Sequence, residues 1–308
     1  MTSNSLVTRA VCLLAIAWLA DTARAQAPIS KDLPFDRYTW VTTHNAFTSN
    51  GLVPNQSQTI AQQLEAGVRA FMLDLHYYDK RVRLCHNRCT GPSSVPLADL
   101  LNDTIRPFLE QNPDAILTLQ LDDFTERQQL VAELDRAPFL AGATFDPYSW
   151  STPTWPTYAD MVKRGQRVLI FSLNRDQSGT LMTRGGGVTI MPSEDFTVEN
   201  YWSLGTTPLQ HDRRCYSRWG ASRPLSTPEI EEKPGWPPLF TMNQFHGLPV
   251  RSHAYYDNAF EALWDRYTKY CQPAARRKPN YVAVDFHEEG DAHAFVEWLQ
   301  AQPHDAGP

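Results

Sequence analysis

The hydrophobic pattern alternates between short strand-like runs and longer helix-like stretches along most of the chain. Compact apolar and β-branched runs are typical of buried strands, whereas apolar positions three or four residues apart predict helices. Seven strands are predicted, at about Tyr38–Thr43, Ala70–Leu75, Val82–Cys85, Ile116–Leu121, Val168–Ser172, Leu239–Asn243 and Tyr281–Phe286. One more strand must lie within residues 174–237, where the pattern does not place it.

Helices are predicted between these strands, at about Thr59–Ala66, Leu97–Gln111, Thr125–Asp135, Tyr158–Arg164, Ala259–Tyr270 and Ala292–Ala301. Pro107 falls inside the second helix, and because proline lacks a backbone N–H we expect a kink or a break there. Alternating strands and helices indicate a parallel β/α architecture. With no internal repeat and no linker, the prediction is an α/β fold, a single TIM-type (β/α)8 barrel.

The first 25 residues have the pattern of a secretory signal peptide. Arg9 precedes an apolar run from Ala10 to Ala20, and Ala23-Arg24-Ala25 forms a small-x-small cleavage site before Gln26. The apolar run is shorter than the roughly 20 residues that a membrane-spanning helix needs. We therefore predict a signal peptide at residues 1–25 and a barrel domain at residues 26–308, exported to an extracellular or periplasmic location.

The formal net charge of −6 restricts the partners of the chain. An acidic protein without a long basic stripe is a poor nucleic-acid binder and is not attracted electrostatically to anionic membranes. The basic run Arg276-Arg277-Lys278 precedes the last predicted strand, and we interpret it as a solvated face away from the barrel mouth. Several of the nine tryptophans lie in predicted loops. Such residues can pack into the core or contact a membrane surface transiently, and the sequence leaves both roles open. We expect a monomer.

Four cysteines remain once the signal peptide, with Cys12, is removed. An even number in an exported chain predicts two disulfides, although four cysteines allow three pairings. We favour Cys85 with Cys89, because that bridge would close the turn carrying His86, and consequently Cys215 with Cys271. A zinc site is the alternative, but the Cys-x3-Cys spacing is weak for it.

Two histidines and an aspartate end strand-like runs near the start of the barrel. His44 and His86 each follow such a run, and Asp74 closes another between them. The C-terminal ends of parallel barrel strands converge on one mouth, where such folds keep their chemistry. Two imidazoles and an acid can take up and deliver a proton across one reacting centre, as phosphodiester cleavage requires. A single histidine of this kind is more often structural, so the pairing matters.

The segments around these residues form a pattern that spans most of the chain. They include Thr42-Thr43-His44-Asn45-Ala46-Phe47, Gly67-Val68-Arg69, Met72-Leu73-Asp74, Leu84-Cys85-His86, Asn112-Pro113, Asp122-Asp123-Phe124 and Pro279-Asn280-Tyr281-Val282-Ala283-Val284-Asp285-Phe286. Together they resemble the X domain of phosphatidylinositol-specific phospholipases C, and above all the secreted, single-domain PI-PLC X domain-containing proteins. The resemblance implies a TIM barrel that can be distorted or incompletely closed, and a phospholipid or other phosphodiester substrate.

The resemblance also implies catalytic roles. By position, His44 would be the general base that takes a proton from the inositol 2-hydroxyl, and His86 the general acid that protonates the leaving oxygen. Asp285 lies at a predicted strand end among apolar neighbours, and a buried carboxylate needs a partner. We expect Asp285 to orient one of the two imidazoles.

A cation is needed to stabilise the phosphate charge in the transition state. Metal-free relatives place an arginine where this chain has Asp74, whereas calcium-dependent relatives have an asparagine after the first histidine, as Asn45 follows His44. Asp122, or Gln120 in its place, would supply a further oxygen ligand from the next strand. The resemblance thus implies a Ca²⁺ site, with Mg²⁺ as the alternative, formed by Asn45, Asp74 and Asp122.

Met72 occupies a position where calcium-dependent relatives have an acidic residue, so one ligand is missing. This departure keeps two other functions open beside the phospholipase C-like hydrolase or lyase. One is a phosphodiesterase for another headgroup, such as a glycerophosphodiester. The other is a non-catalytic barrel that binds a phosphorylated headgroup or a glycan.

Overall fold

A computed structural model describes residues 30–49, 53–86, 89 and 94–303, so the predicted signal peptide lies outside the described residues. The strands are β1 (Trp40–Thr43), β2 (Ala70–Tyr78), β3 (Arg81–Leu84), β4 (Leu117–Asp123), β5 (Val168–Ser172), β6 (Gly179–Thr183), β7 (Gly186–Pro192), β8 (Thr197–Glu199), β9 (Leu239–Gln244) and β10 (Tyr281–Val284). The α-helices are α1 (Ile60–Glu65), α2 (Leu97–Leu100), α3 (Arg106–Gln111), α4 (Arg127–Leu134), α5 (Leu140–Ala143), α6 (Tyr158–Lys163), α7 (Ser193–Phe196), α8 (Arg251–Asp257), α9 (Phe260–Arg266), α10 (Gln272–Ala275) and α11 (Ala292–Ala301). Among these described helices, none is both long enough and apolar enough to cross a bilayer.

Parallel strands form an incompletely closed barrel. Their order in the sheet is β7-β5-β4-β2-β1-β10-β9-β8, and each strand is hydrogen-bonded in parallel to the next strand in this order. The short helix α7 connects β7 to β8, but within the part of the chain that the structure describes no ladder joins these two strands. The predicted α/β barrel is therefore confirmed, with an opening between β7 and β8 that we call the seam.

The strands differ from their prediction in two parts of the chain. β3 is a strand, but it runs antiparallel to β2, with Leu84 opposite Leu75, so its expected place as a parallel barrel strand was wrong. Asp79 and Lys80 form the tight turn between them with positive φ angles, as hairpin turns of this kind require. Residues 174–237, where one strand was expected, contain three: β7 and β8 are parallel barrel strands, and β6 pairs antiparallel with β7. The three residues of β8 are too few to show an alternating pattern.

The helix around Pro107 continues where a kink or break was predicted. Between α2 and α3 lies a π turn, Leu101–Ile105, and the N–H of Arg106 bonds to the carbonyl oxygen of Leu101, five residues earlier. Pro107 then falls in the first turn of α3, where a missing N–H costs little. The same arrangement recurs before Pro273, after the π turn Tyr267–Cys271. The wider hydrogen-bond register absorbs the proline in both helices.

Aromatic side chains fill the end of the barrel at which the strands begin. Trp155 and Trp236 are fully buried with ring centroids 4.7 Å apart, and Phe35 packs against Trp155 at 6.1 Å. Trp150 is buried as well, whereas Trp202 is exposed. Core packing therefore accounts for three of the loop tryptophans.

The basic run Arg276-Arg277-Lys278 does not form the solvated face that the sequence suggested. Arg277 and Lys278 are buried, and Lys278 Nζ donates to the carbonyl oxygens of Leu299 and Gln302 at 3.1 Å each. Arg277 likewise donates to main-chain carbonyls, among them that of Pro238 at 2.9 Å. Burial lowers the pKa of Lys278 to about 8. Both cations hold the C-terminal segments against the barrel.

Candidate active site

A cavity of about 630 Å³ opens at the C-terminal ends of the barrel strands. Its polar lining comprises His44, Asn45, Asn55, Asp74, His86, Gln120, Asp122, Ser193, Thr197, Glu199, Arg218 and Thr241. Five of the six predicted site residues are among them, and the sixth, Asp285, lies directly behind His44. The structure thus brings together all the residues that the sequence singled out.

The pairing of β1 with β10 places His44 beside Asp285. Thr43 is opposite Val284 in the ladder, and the N–H of His44 continues it by donating to the carbonyl of Val284 at 3.0 Å. His44 Nδ1 lies 2.9 Å from Asp285 Oδ1, and the Phe245 ring stacks on the imidazole at 3.7 Å. In the tautomer with its hydrogen on Nδ1, His44 donates to this carboxylate, and Nε2 then has no proton and can accept one.

Asn55 completes the support of the His44–Asp285 pair and was not predicted. Its amide nitrogen donates to Asp285 Oδ1 at 2.9 Å, while its amide oxygen accepts from Thr48 Oγ1 at 3.1 Å and from the Asn45 side chain at 3.3 Å. The Asp285 backbone carbonyl accepts from Asn258 at 2.9 Å. Asn55 lies in a loop without periodicity, so a single sequence offers no signal for it.

His86 reaches the mouth because the β2–β3 hairpin turns back on itself. The N–H of Cys85 bonds to the carbonyl of Asp74 at 3.2 Å, and Cys85 and Cys89 form the predicted disulfide around the histidine. His86 Nε2 is 4.0 Å from Asp74 Oδ2, and the His86 side chain is 59% exposed. Burial of part of the ring lowers the His86 pKa, and the charge of His44 lowers it further. The two imidazoles therefore influence each other electrostatically.

The second predicted disulfide, Cys215–Cys271, is also present. It joins the irregular segment after β8 to the π turn that follows α9. Both pairings inferred from the sequence are thus confirmed, and the alternative of a zinc site at these cysteines is excluded for the described chain.

Asp74 and Asp122 form a pair of carboxylates on adjacent strands. They are direct neighbours in the β2–β4 ladder. Burial raises the pKa of Asp74 to about 7, with the charge of His44 opposing the shift and that of Asp122 adding to it. Burial also raises the pKa of Asp122. Both side chains are half-buried, and within the described residues neither carboxylate accepts a hydrogen bond. Partly buried carboxylates without donors suit a bound cation.

Asn45 lines the same cavity as this pair, and its backbone has an unusual conformation. It is buried with a φ of +43°, in the left-handed region that asparagine tolerates better than most residues. The turn that follows β1 thereby directs the Asn45 side chain into the cavity lining. Asn45 can offer its amide oxygen to a metal ion, and Asp74 and Asp122 can offer carboxylate oxygens. Such a set of oxygen ligands fits Ca²⁺ or Mg²⁺.

Glu199 and Arg218 are cavity residues that sequence reasoning missed. Arg218 Nη1 lies 3.1 Å from both carboxylate oxygens of Glu199, and Asn243 Nδ2 donates to Glu199 at 2.6 Å. The positive charge of Arg218 also acts on Asp122 and opposes the rise of its pKa that burial causes. Glu199 ends the short strand β8 and Arg218 follows in an irregular segment, so neither stood in a recognisable pattern. The guanidinium adds a fixed positive charge to the cavity.

Three further residues in or directly before β2 have different surroundings. Met72 lines the cavity beside Gln120, which donates to Thr241 Oγ1 at 3.3 Å. His76 stacks on Phe124 with centroids 4.7 Å apart. Arg69 donates to the main-chain carbonyls of Leu64 and Val68 at 2.8 Å each.

Comparison with known proteins gives a consistent result. Residues 32–182 match the family model for the PI-PLC X domain. A PI-PLC X domain-containing protein of Arabidopsis thaliana is 28% identical over 301 residues, covering 90% of this chain and 64% of that protein. PI-PLC X domain-containing protein 1 of Arthroderma benhamiae is 22% identical over 268 residues, covering 84% of this chain and 83% of that protein.

A solved structure shares the fold. The phosphatidylinositol-specific phospholipase C from Listeria monocytogenes superposes with a TM-score of 0.56 over 90% of this chain and 97% of that chain, at 14% identity. The chain spans 64% of the length of its Arabidopsis relative, so a further part of that protein has no counterpart here.

Proposed function

Residues 32–182 belong to the PI-PLC X family, and on that premise we propose that the protein is a phosphodiesterase of the phospholipase C type. The observation that supports this best is that His44 and His86 line one cavity, with Asp285 bonded to the first histidine. A volume of about 630 Å³ suits a sugar-sized headgroup with its phosphate. The proposed substrate is a phosphoinositide-type lipid.

His44 is the proposed general base. Its Nε2 takes the proton of the inositol 2-hydroxyl as that oxygen bonds to phosphorus. Asp285 holds the imidazole in the required tautomer through the 2.9 Å contact at Nδ1, and it stabilises the imidazolium that forms. Phe245, stacked on the ring, restricts its rotation.

His86 is the proposed general acid. As the bond from phosphorus to the leaving oxygen breaks, the imidazolium of His86 gives that oxygen its proton, and a cyclic phosphodiester and an alcohol result. The lowered pKa of His86 makes it a stronger acid, and an anionic phosphate in the cavity favours its protonated form. Each such proton transfer contributes about 10²–10⁴-fold to the rate.

Asn45, Asp74 and Asp122 are the residues proposed to hold Ca²⁺, with Mg²⁺ as the alternative. The two carboxylates without hydrogen-bond donors support this assignment. When bound, such an ion supplies positive charge that stabilises the charge on phosphate oxygens. Arg218 offers a second positive charge in the same cavity, held in place by Glu199. The chain therefore has two means of compensating the substrate charge.

Exposed apolar side chains at the cavity entrance suit a lipid substrate. Val53, Leu248 and Trp202 line the cavity and are exposed by 53%, 45% and 38%. Such residues can contact acyl chains or a membrane surface transiently while the headgroup enters the cavity. The two disulfides support an exported protein, in agreement with the predicted signal peptide.

A panel of phosphodiester substrates tests the proposal. Phosphatidylinositol, its 2-deoxy analogue, phosphatidylcholine and a glycerophosphodiester would be incubated with the wild type, His44→Ala, His86→Ala and the control His253→Ala, each with and without EDTA. His253 does not line the cavity. We expect turnover of phosphatidylinositol but not of the 2-deoxy lipid, and losses of about 10²–10⁴-fold in the first two variants only.

Other outcomes identify the alternatives. Equal turnover of the 2-deoxy lipid would exclude attack by the internal hydroxyl, and preference for the glycerophosphodiester would assign a different headgroup. Binding of headgroups without turnover of any substrate would indicate the non-catalytic barrel, for which Met72 in place of an acid is the structural argument.

A further inference from the structure

A second cluster of histidines and a carboxylate lies outside the cavity. We propose that His211, His246 and Asp257, here called the His211 cluster, form a site for Zn²⁺ or a transition ion of similar preference. None of the three lines the cavity, and none belongs to the proposed Ca²⁺ site. The proposal does not depend on the proposed phosphodiesterase activity.

The ligand atoms of the His211 cluster already converge. His211 Nε2 lies 2.8 Å from Asp257 Oδ1, His246 Nε2 lies 3.1 Å from Asp257 Oδ2, and the three groups keep their ligand atoms within 4.8 Å of one another. The two imidazole planes cross at 87°, so both Nε2 atoms can approach one point without a clash between the rings. Zn–N and Zn–O bonds of about 2.0–2.1 Å place tetrahedral ligands about 3.4 Å apart, so only small movements are needed.

The donor set is the one that zinc prefers. Two imidazole nitrogens and one carboxylate oxygen are typical of zinc sites that keep a fourth position for water. His246 and Asp257 are buried, whereas His211 is exposed and leaves that fourth position accessible. The proposed mouth site offers oxygen ligands only, so the two sites should select different ions.

Nearby charges leave the Asp257 carboxylate available. Arg266 is fully buried close by, but its guanidinium donates to the main-chain carbonyl of Asn243 and to Gln244 Oε1. Among the described residues, the Asp257 carboxylate accepts hydrogen bonds from His211 and His246 only, and the ion would replace the two Nε2 hydrogens.

The His211 cluster connects three different segments of the chain. His211 lies in the irregular segment after β8, His246 follows β9, and Asp257 ends α8. His246 directly follows Phe245, the residue whose ring stacks on His44, and Gln244 donates to the Asp257 carbonyl at 2.8 Å. A metal ion here would therefore stabilise the wall of the cavity that carries Phe245.

Metal titration of the full chain tests the proposal. After dialysis against a chelator, the protein would be titrated with Co²⁺, read by visible absorption, and with Zn²⁺, read by calorimetry and thermal melting. We expect one Co²⁺ per chain with the intense bands of tetrahedral coordination, displacement by Zn²⁺, and a rise in Tm of several degrees at saturation. His211→Ala and Asp257→Asn should weaken binding at least about 100-fold.

Matched variants determine whether the site is the one proposed. His211 is exposed, so its replacement should leave the fold intact, as circular dichroism would show. His253→Ala removes a histidine one turn before Asp257, and it should bind Co²⁺ like the wild type. Absence of binding in the wild type, unchanged binding in His211→Ala, loss in His253→Ala, or loss in Asp74→Asn would each overturn the proposal, the last by placing the ion at the mouth.

Discussion

Two groups of histidines and aspartates meet at Phe245, whose ring stacks on His44 and which His246 follows in the sequence. The two groups use their histidines differently. At the mouth, His44 contacts Asp285 through Nδ1 at 2.9 Å, so Nε2 is left for the cavity. In the His211 cluster, both histidines direct Nε2 at one carboxylate, at 2.8 and 3.1 Å. An imidazole can exchange protons with a substrate only if the nitrogen that does not meet the carboxylate faces the cavity, and of these three histidines only His44 lines it.

A third pair of histidines shows what burial does without a carboxylate within hydrogen-bond distance. His287 Nδ1 lies 3.0 Å from His293 Nε2, and His287 Nε2 lies 3.1 Å from Gln58 Oε1. Burial lowers the pKa of His287 to about 4, and the charge of His293 lowers it further. The His287 ring is therefore neutral at physiological pH, and burial lowers the pKa of His293 as well.

The largest difference in activity is expected when one imidazole is removed from each of the first two groups. His44→Ala should lower kcat/KM for the lipid by about 10²–10⁴-fold, because the general base is lost. His211→Ala should lower it by less than about tenfold, because it acts only through the position of Phe245. Initial rates on phosphatidylinositol vesicles measure both. Equal losses would mean that the two groups do not differ in function.

The third pair predicts a loss of stability in acid. Folded His287 binds its proton only near pH 4, whereas in the unfolded chain it does so near its usual value of about 6.5. Between these values the unfolded state binds more protons, so stability is complete above about pH 6.5 and falls by up to about 3 kcal/mol towards pH 4. Urea unfolding at pH 8, 6.5 and 5 measures this, and His287→Gln should reduce the dependence. An equal slope in both proteins would contradict the prediction.

Asp285→Asn tests whether the carboxylate orients His44. The asparagine keeps the shape of the side chain but can present an N–H to Nδ1, which favours the wrong tautomer, so we expect a loss of about 10–100-fold in kcat with little change in KM. The Tm should stay close to the wild-type value. A change in KM alone would assign Asp285 to substrate binding.

The smallest expected effect concerns the tether of His86. Replacing Cys85 and Cys89 together by serine opens a bridge between residues only four apart, which should cost at most about 2 kcal/mol of stability. Replacing Cys215 and Cys271, which are 56 residues apart, should cost about 4 kcal/mol. Thermal melting compares the two double variants. A greater loss from the shorter bridge would show that it stabilises more than its own turn.

The sequence predicted most of the barrel because the signals were local. Buried runs such as Val168–Ser172 and the capped helix after Thr59 need no knowledge of the rest of the chain. The cavity residues were predicted where they end such strands, as His44 and Asp122 do. Their roles in catalysis and metal binding remain predictions.

The missed features depend on contacts between distant segments. Lys278 looks solvated in the sequence, and only the carbonyls of Leu299 and Gln302 make its burial possible. Arg218 became a cavity residue because Glu199, nineteen positions earlier, holds it there. The direction of β3 was also invisible, because a short apolar run gives no indication of whether its partner runs parallel or antiparallel.

The seam between β7 and β8 has a consequence for substrate range. His44, Asp285, Asp74 and Asp122 belong to or directly follow β1, β10, β2 and β4, a continuous arc that lies across the barrel from the seam. Glu199 and its bonded partner Arg218 stand next to the gap instead. Within the described part of the chain, no backbone ladder between β7 and β8 constrains the side chains at this margin. We therefore expect substitutions there to change the size of the group that the cavity accepts, while the proposed catalytic and metal-binding residues keep their spacing.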